Sequence, residues 1–316
     1  MLVFQGPKAA KWLLAATLLL LGFVAVDILA STPLTRFDLR QWGRKSNIPL
    51  RGSGKATGSF PAGSKENLPS GPVYSTTNRA KNPETIRVLF IGNRLTGEND
   101  FAGVLTKMGA KGKIKVSATQ RAFDGYTLRS HLADMRTYEA MTNVIPDPND
   151  FRNALPWDAM VMQEHTTIAA YDWQQMRVNV ANLNQIITNM NSQGMLFMTW
   201  SRPDAIFTSA EILDRTDGAY SLIGKQLGMP VVPAGRAWEL SEFLRPDIAL
   251  RQSDGYTPTI RGTYLNACMF YTYLTWQSPI GLSTGGLWAI AADEAVFLQE
   301  VAWTIFQWRQ DGLVTW

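Results

Sequence analysis

The 316-residue chain has one cysteine, Cys268, so it cannot close an internal disulfide. It has two histidines, His131 and His165, too few for a three-histidine metal site. Without a second cysteine a zinc site lacks ligands too, and we expect no metal. The glycines around Gly92-Asn93 and Gly125 form neither a G-x-G-x-x-G nor a Walker pattern, so we expect no nucleotide and no other cofactor. Positive charge is scarce where most of the chain lies. The net charge is +4, but residues 1–84 carry +7 and residues 85–316 carry −3. The larger part therefore has no electrostatic footprint for nucleic acid. The basic part suits contact with anionic lipid headgroups.

What is present divides the chain into four segments. A short tail, 1–11, holds Lys8 and Lys11. Residues 12–30 are apolar with Asp27 as the only charge. Nineteen residues at about 1.5 Å each cross the hydrocarbon core, so we read one transmembrane anchor. A cleaved signal peptide is the competing reading. Residues 31–84 are rich in Gly, Pro and Ser, as in Arg51-Gly52-Ser53-Gly54 and Pro69-Ser70-Gly71-Pro72, and read as an extended basic linker. That linker either wraps its own domain or lies along partner subunits. Arg36, Arg40, Arg44 and Lys45 follow the anchor, and counted by the positive-inside rule they place the domain in the cytoplasm. A basic segment before an apolar run is instead how exported domains begin. We read a single-pass protein of the inner membrane with a periplasmic domain, and membrane-protein partners along residues 12–83.

From Thr85 apolar strand-like and helical runs alternate. Strands are expected near 86–91, 114–118, 157–162, 195–200 and 230–232. Helices are expected near 100–108, 126–136, 172–190, 209–227, 260–275 and 289–309. Alternation of this kind predicts an α/β fold with a five-stranded parallel sheet covered on both faces.

Six short blocks stand in order along this part. They are Ile91-Gly92-Asn93-Arg94-Leu95-Thr96, Gly125-Tyr126-Thr127-Leu128 with His131, and Trp157 to Glu164. Then come Thr199-Trp200-Ser201-Arg202, Pro230 to Trp238, and Asp254-Gly255-Tyr256-Thr257-Pro258. In this order they resemble the SGNH (GDSL-like) hydrolases. The resemblance covers nearly all of 85–316. It implies a flavodoxin-like three-layer α/β/α sandwich with strand order 2-1-3-4-5.

The resemblance also implies which positions matter, and several have changed. The nucleophilic serine of such enzymes corresponds to Arg94, and the catalytic histidine to Thr257. The third-block polar donor corresponds to His165. Gly125, the oxyanion donor, and Asp254, the orienting acid, remain. An arginine is neither nucleophile nor base, because its guanidinium stays protonated. A degenerate, non-catalytic domain follows, serving as an accessory subunit of a larger membrane complex. Two alternatives stay open: a glycan- or ester-binding module, or a hydrolase or acyltransferase with a rearranged site such as Ser201 with His165. Arg94 is expected to pair with a carboxylate, Asp254 first and Glu164 or Glu98 next, or else to grip an anionic ligand such as an acidic sugar.

Overall fold

The computed structural model describes residues 85–142, 145–147, 150–155, 157–287 and 289–310; over 145–155 it describes the backbone only. Strand β1 (Thr85–Gly92) leads through a short helix α1 (Arg94–Gly97) and a 3-10 turn (Glu98–Asp100) into α2 (Phe101–Gly109) and β2 (Lys115–Ala122). Helices α3 (Leu128–Ala133) and α4 (Met135–Thr142) follow, then a hairpin of β3 (Ile145–Asp147) and β4 (Asp150–Leu155). The chain returns through β5 (Ala159–Met162), α5 (Thr166–Tyr171), α6 (Trp173–Asn189), β6 (Gln193–Met198) and α7 (Ser209–Leu227). It ends with β7 (Val231–Pro233), α8 (Ala234–Leu244), α9 (Ile260–Thr275) and α10 (Ala292–Gln310).

The main sheet has five parallel strands in the order β2-β1-β5-β6-β7. Setting the separate hairpin aside, this is the expected 2-1-3-4-5 order. The central strands β1, β5 and β6 are mostly apolar because both faces are covered, while the edge strand β2 is more polar. Alternate residues of β1 serve opposite faces. Leu89 and Ile91 join Met160, Met162, Leu196 and Met198 in a core with Met176, Val180 and Leu183 of α6 and Tyr220 and Ile223 of α7. Phe90 points the other way. Its ring meets Phe101 of α2 at 4.9 Å and Phe270 of α9 at 4.8 Å, both edge-on. Such pairs add about 0.5–1.5 kcal/mol each beyond their burial.

Several expectations need correction. The helix expected over 126–136 is two helices. The Asp134 carboxylate accepts the Arg136 N–H at 3.1 Å, ending α3 and starting α4. Helices α1, α5 and α8 and the hairpin were not anticipated. Helix α8 hides from a periodicity reading because one of its inward-facing residues is the charged Arg236, which is buried with Trp238 and Leu240. The last helix begins at Ala292, not 289. Among the described residues no helix is long and apolar enough to cross a membrane, and the expected span, 12–30, and the linker, 31–84, lie outside them.

Candidate functional site

The carboxyl end of the sheet gathers the blocks named above. β1 stops at Gly92 because the turn packs tightly there. A Cβ on Gly92 would stand 2.6 Å from both Gln163 Oε1 and Thr96 Oγ1. Asn93 caps α1 by accepting the Leu95 N–H at 3.1 Å, and its Nδ2 donates to Tyr126 O at 3.3 Å. Gln163 Oε1 accepts from Asn93 N and Thr96 Oγ1, each at 2.9 Å. The first, second and third blocks are therefore knotted together by amides rather than by catalytic groups.

Arg94 opens α1 with its side chain 40% exposed, and Nε donates to Glu98 Oε2 at 3.3 Å. It does not pair with Asp254, the partner expected first. Glu98, one helical turn on, takes it, because α1 places the two on one face. The pair holds the Arg94 guanidinium charged: the Glu98 hydrogen bond favours the proton more than burial disfavours it. The terminal Nη groups of Arg94 donate no hydrogen bond among the described residues.

Asp254 is satisfied by its own turn. Oδ1 accepts the N–H groups of Tyr256 at 3.0 Å and Thr257 at 2.8 Å, and Oδ2 accepts the Thr257 hydroxyl. Asp254 is exposed; desolvation within its turn opposes its charge, but these donors and the Arg94 charge outweigh it and hold the carboxyl below its usual range. Thr257 itself is fully buried. The loop is pinned from below. Trp200 stacks on Trp238 with centroids 3.6 Å apart and planes 3° from parallel, and Trp200 Nε1 donates to Tyr256 O at 2.7 Å.

Gly125 sits exposed at φ +69° in the second-block loop, a left-handed conformation that glycine adopts without strain. His165 caps α5, its Nδ1 accepting the Thr167 N–H at 3.3 Å. Half-burial, with Arg202 nearby, lowers its pKa, so the neutral ring prevails at neutral pH. Glu164, expected as a candidate partner of Arg94, is instead fully buried. Its Oε1 accepts the N–H groups of His165 at 2.7 Å and Leu128 at 3.2 Å, tying the starts of α5 and α3 together. Burial raises its pKa.

His131 is also buried. Its Nε2 donates to Gly92 O at 2.7 Å, since a carbonyl only accepts, and Nδ1 accordingly accepts from Thr137 Oγ1 at 2.9 Å. Both members of this histidine–hydroxyl pair are buried. Ser201 is buried as well, with Oγ facing Arg251 Nη2 at 3.4 Å, not His165. Sequence reasoning missed Arg251, which bridges Ser201 O, Gly255 O and Glu242 and so braces the Asp254 loop. It also missed Tyr256, whose ring lies 5.0 Å below the Arg202 guanidinium. Arg251 carries no motif signal, and Tyr256 stands in the sixth block at a position to which the resemblance assigns no role.

No protein family and no curated protein matches the sequence. Solved structures do match the fold. A protein from Slackia heliotrinireducens ascribed to the SGNH hydrolases superimposes with a TM-score of 0.50 at 20% identity, over 61% of this chain and 100% of its own. A DUF4886 family protein from Bacteroides uniformis superimposes with a TM-score of 0.58 at 16% identity, over 71% of this chain and 96% of its own. The fold is that of the SGNH hydrolases. At these identities the likeness concerns fold alone.

Proposed function

We propose that this SGNH-fold domain is non-catalytic and serves as an accessory subunit of a membrane complex. One observation carries the reading. The positions that correspond to nucleophile and base hold Arg94 and Thr257, and the orienting Asp254 spends its oxygens on Thr257 and two N–H groups. Acyl transfer needs a nucleophile and a base in hydrogen-bond reach of each other. Among the described residues no side-chain hydroxyl or thiol hydrogen-bonds His165, and the one that reaches His131 is buried with it. Residues 12–30 then anchor the protein in the inner membrane, the basic linker 31–84 meets lipid headgroups and partner subunits, and the domain faces the periplasm. The test is turnover of an aryl acetate. The unmodified protein and Arg94→Ala should both be silent, and only Arg94→Ser with Thr257→His should gain a measurable rate. Turnover by the unmodified protein that survives Arg94→Ala sinks the proposal.

A second reading, a glycan-binding module, is favoured by the openness of Arg94. Its Nη groups donate no hydrogen bond among the described residues and suit the carboxylate of an acidic sugar.

A further inference from the structure

Away from the cleft, between α5, the start of α6 and α7, lies an apolar notch of ≈130 Å³. Ala169, Gly218 and Ala219 leave the space, and Trp173 and Leu222 flank it. Arg215, Gly218, Ala219 and Leu222 recur at helical spacing, so one stripe of α7 faces the notch. A cavity of about 150 Å³ takes a benzene ring, so this one has room for a single branched aliphatic side chain.

Arg215 stands at the rim, with its guanidinium carbon 3.9 Å from the centroid of the Phe207 ring. That stack holds the planar fork in place while its N–H groups point elsewhere. Arg215 donates no hydrogen bond among the described residues. The neighbouring acids each spend one oxygen elsewhere, and Glu211, one turn before Arg215, feels its charge without a hydrogen bond to it. Asp204 accepts the Tyr171 hydroxyl at 2.6 Å and the N–H groups of Ile206 and Phe207. Glu211 caps α7 through the Thr208 N–H and hydroxyl. Ile206, 75% exposed, and Tyr171, 41% exposed, extend apolar surface from the same neighbourhood.

We propose that this face docks a partner protein segment in which an aliphatic side chain, seated in the notch, stands beside a carboxylate held by Arg215. An apolar hole supplies the anchor, and a stacked cation that donates no hydrogen bond among the described residues selects the sign of its neighbour. The inference is independent of whether the cleft is catalytic.

The test uses the full-length chain in neutral detergent with methyl-labelled Ile and Leu. The probe is an acetylated Gly/Ser nonapeptide with Leu-Glu at its centre. The Leu222 methyl signals should shift saturably with it. Peptides carrying Leu-Lys or Ala-Glu should bind at least about tenfold more weakly. Arg215→Glu should reverse the preference towards Leu-Lys. Gly218→Leu, which places a side chain in the notch and favours the helix, should abolish binding with the melting temperature retained. No saturable shift, equal response to both charges, binding undiminished by Gly218→Leu, or shifts that track only self-association would each overturn the proposal.

Discussion

Arg236 of α8 reaches Asp217 of α7 at 2.8 Å, and the two side chains are 4% and 3% exposed. Asp214 at 2.8 Å and Glu239 at 3.1 Å complete the set around the guanidinium. Removing the cation strands a buried carboxylate. Arg236→Leu should therefore cost about 3–5 kcal/mol in urea unfolding. Arg236→Lys should recover part of this, since it keeps the charge and loses the fork. A loss under about 1 kcal/mol for Arg236→Leu would mean the network is solvated.

Glu239 in this cluster has a consequence for pH. Burial pushes its pKa up to about 7, outweighing the attraction of Arg236. An acid whose folded pKa is raised binds its proton more tightly in the folded state. Its contribution is present below the unfolded value, about 4.3, and is lost as pH rises towards 7. Glu239→Gln should flatten the melting temperature across that window. An unchanged slope would locate the titration elsewhere.

Trp200→Phe keeps a ring on Trp238 and deletes the donor to Tyr256 O. It should cost about 1 kcal/mol. Amide exchange should quicken at Tyr256 and Thr257 more than in α9. Uniform exchange rates across loop and helix would show that the bond does not hold the Asp254 loop.

Arg94 is open and, among the described residues, pairs only with its i+4 neighbour. Arg94→Ala should change stability by less than about 0.5 kcal/mol. If the cleft binds acidic sugars, titration with a uronic-acid oligosaccharide should give heat that Arg94→Ala removes and a neutral oligosaccharide does not reproduce. Equal heats from both sugars would end the glycan reading.

The proposed anchor at 12–30 predicts retention in the membrane fraction through a high-salt wash, because a spanning helix is not held by charge. Protease added to spheroplasts should digest the 85–316 domain. Release by salt removes the anchor, and full protection from protease places the domain in the cytoplasm.

Strand order, layering and the two longest matching helices were legible in the sequence. Ser209–Leu227 and Ile260–Thr275 were expected with the bounds they have; each follows a threonine cap, Thr208 and Thr259, and the second is buried on nearly every side. These are local signals, and burial on both faces of a parallel sheet leaves few alternatives. By the resemblance, Arg94 and Thr257 read as standing where a nucleophile and a base would. It did not determine which acid Arg94 would meet. That depended on α1, a single turn with no periodicity of its own, which sets Glu98 beside Arg94, and on the turn at Asp254, which consumes that carboxylate from within. Likewise a charged residue in α8 reads as a solvent face until Asp214 and Asp217 arrive from α7 to bury it. Partners of charged side chains are chosen by directions that only packed elements have. A chain written in one dimension carries the charges but not those directions.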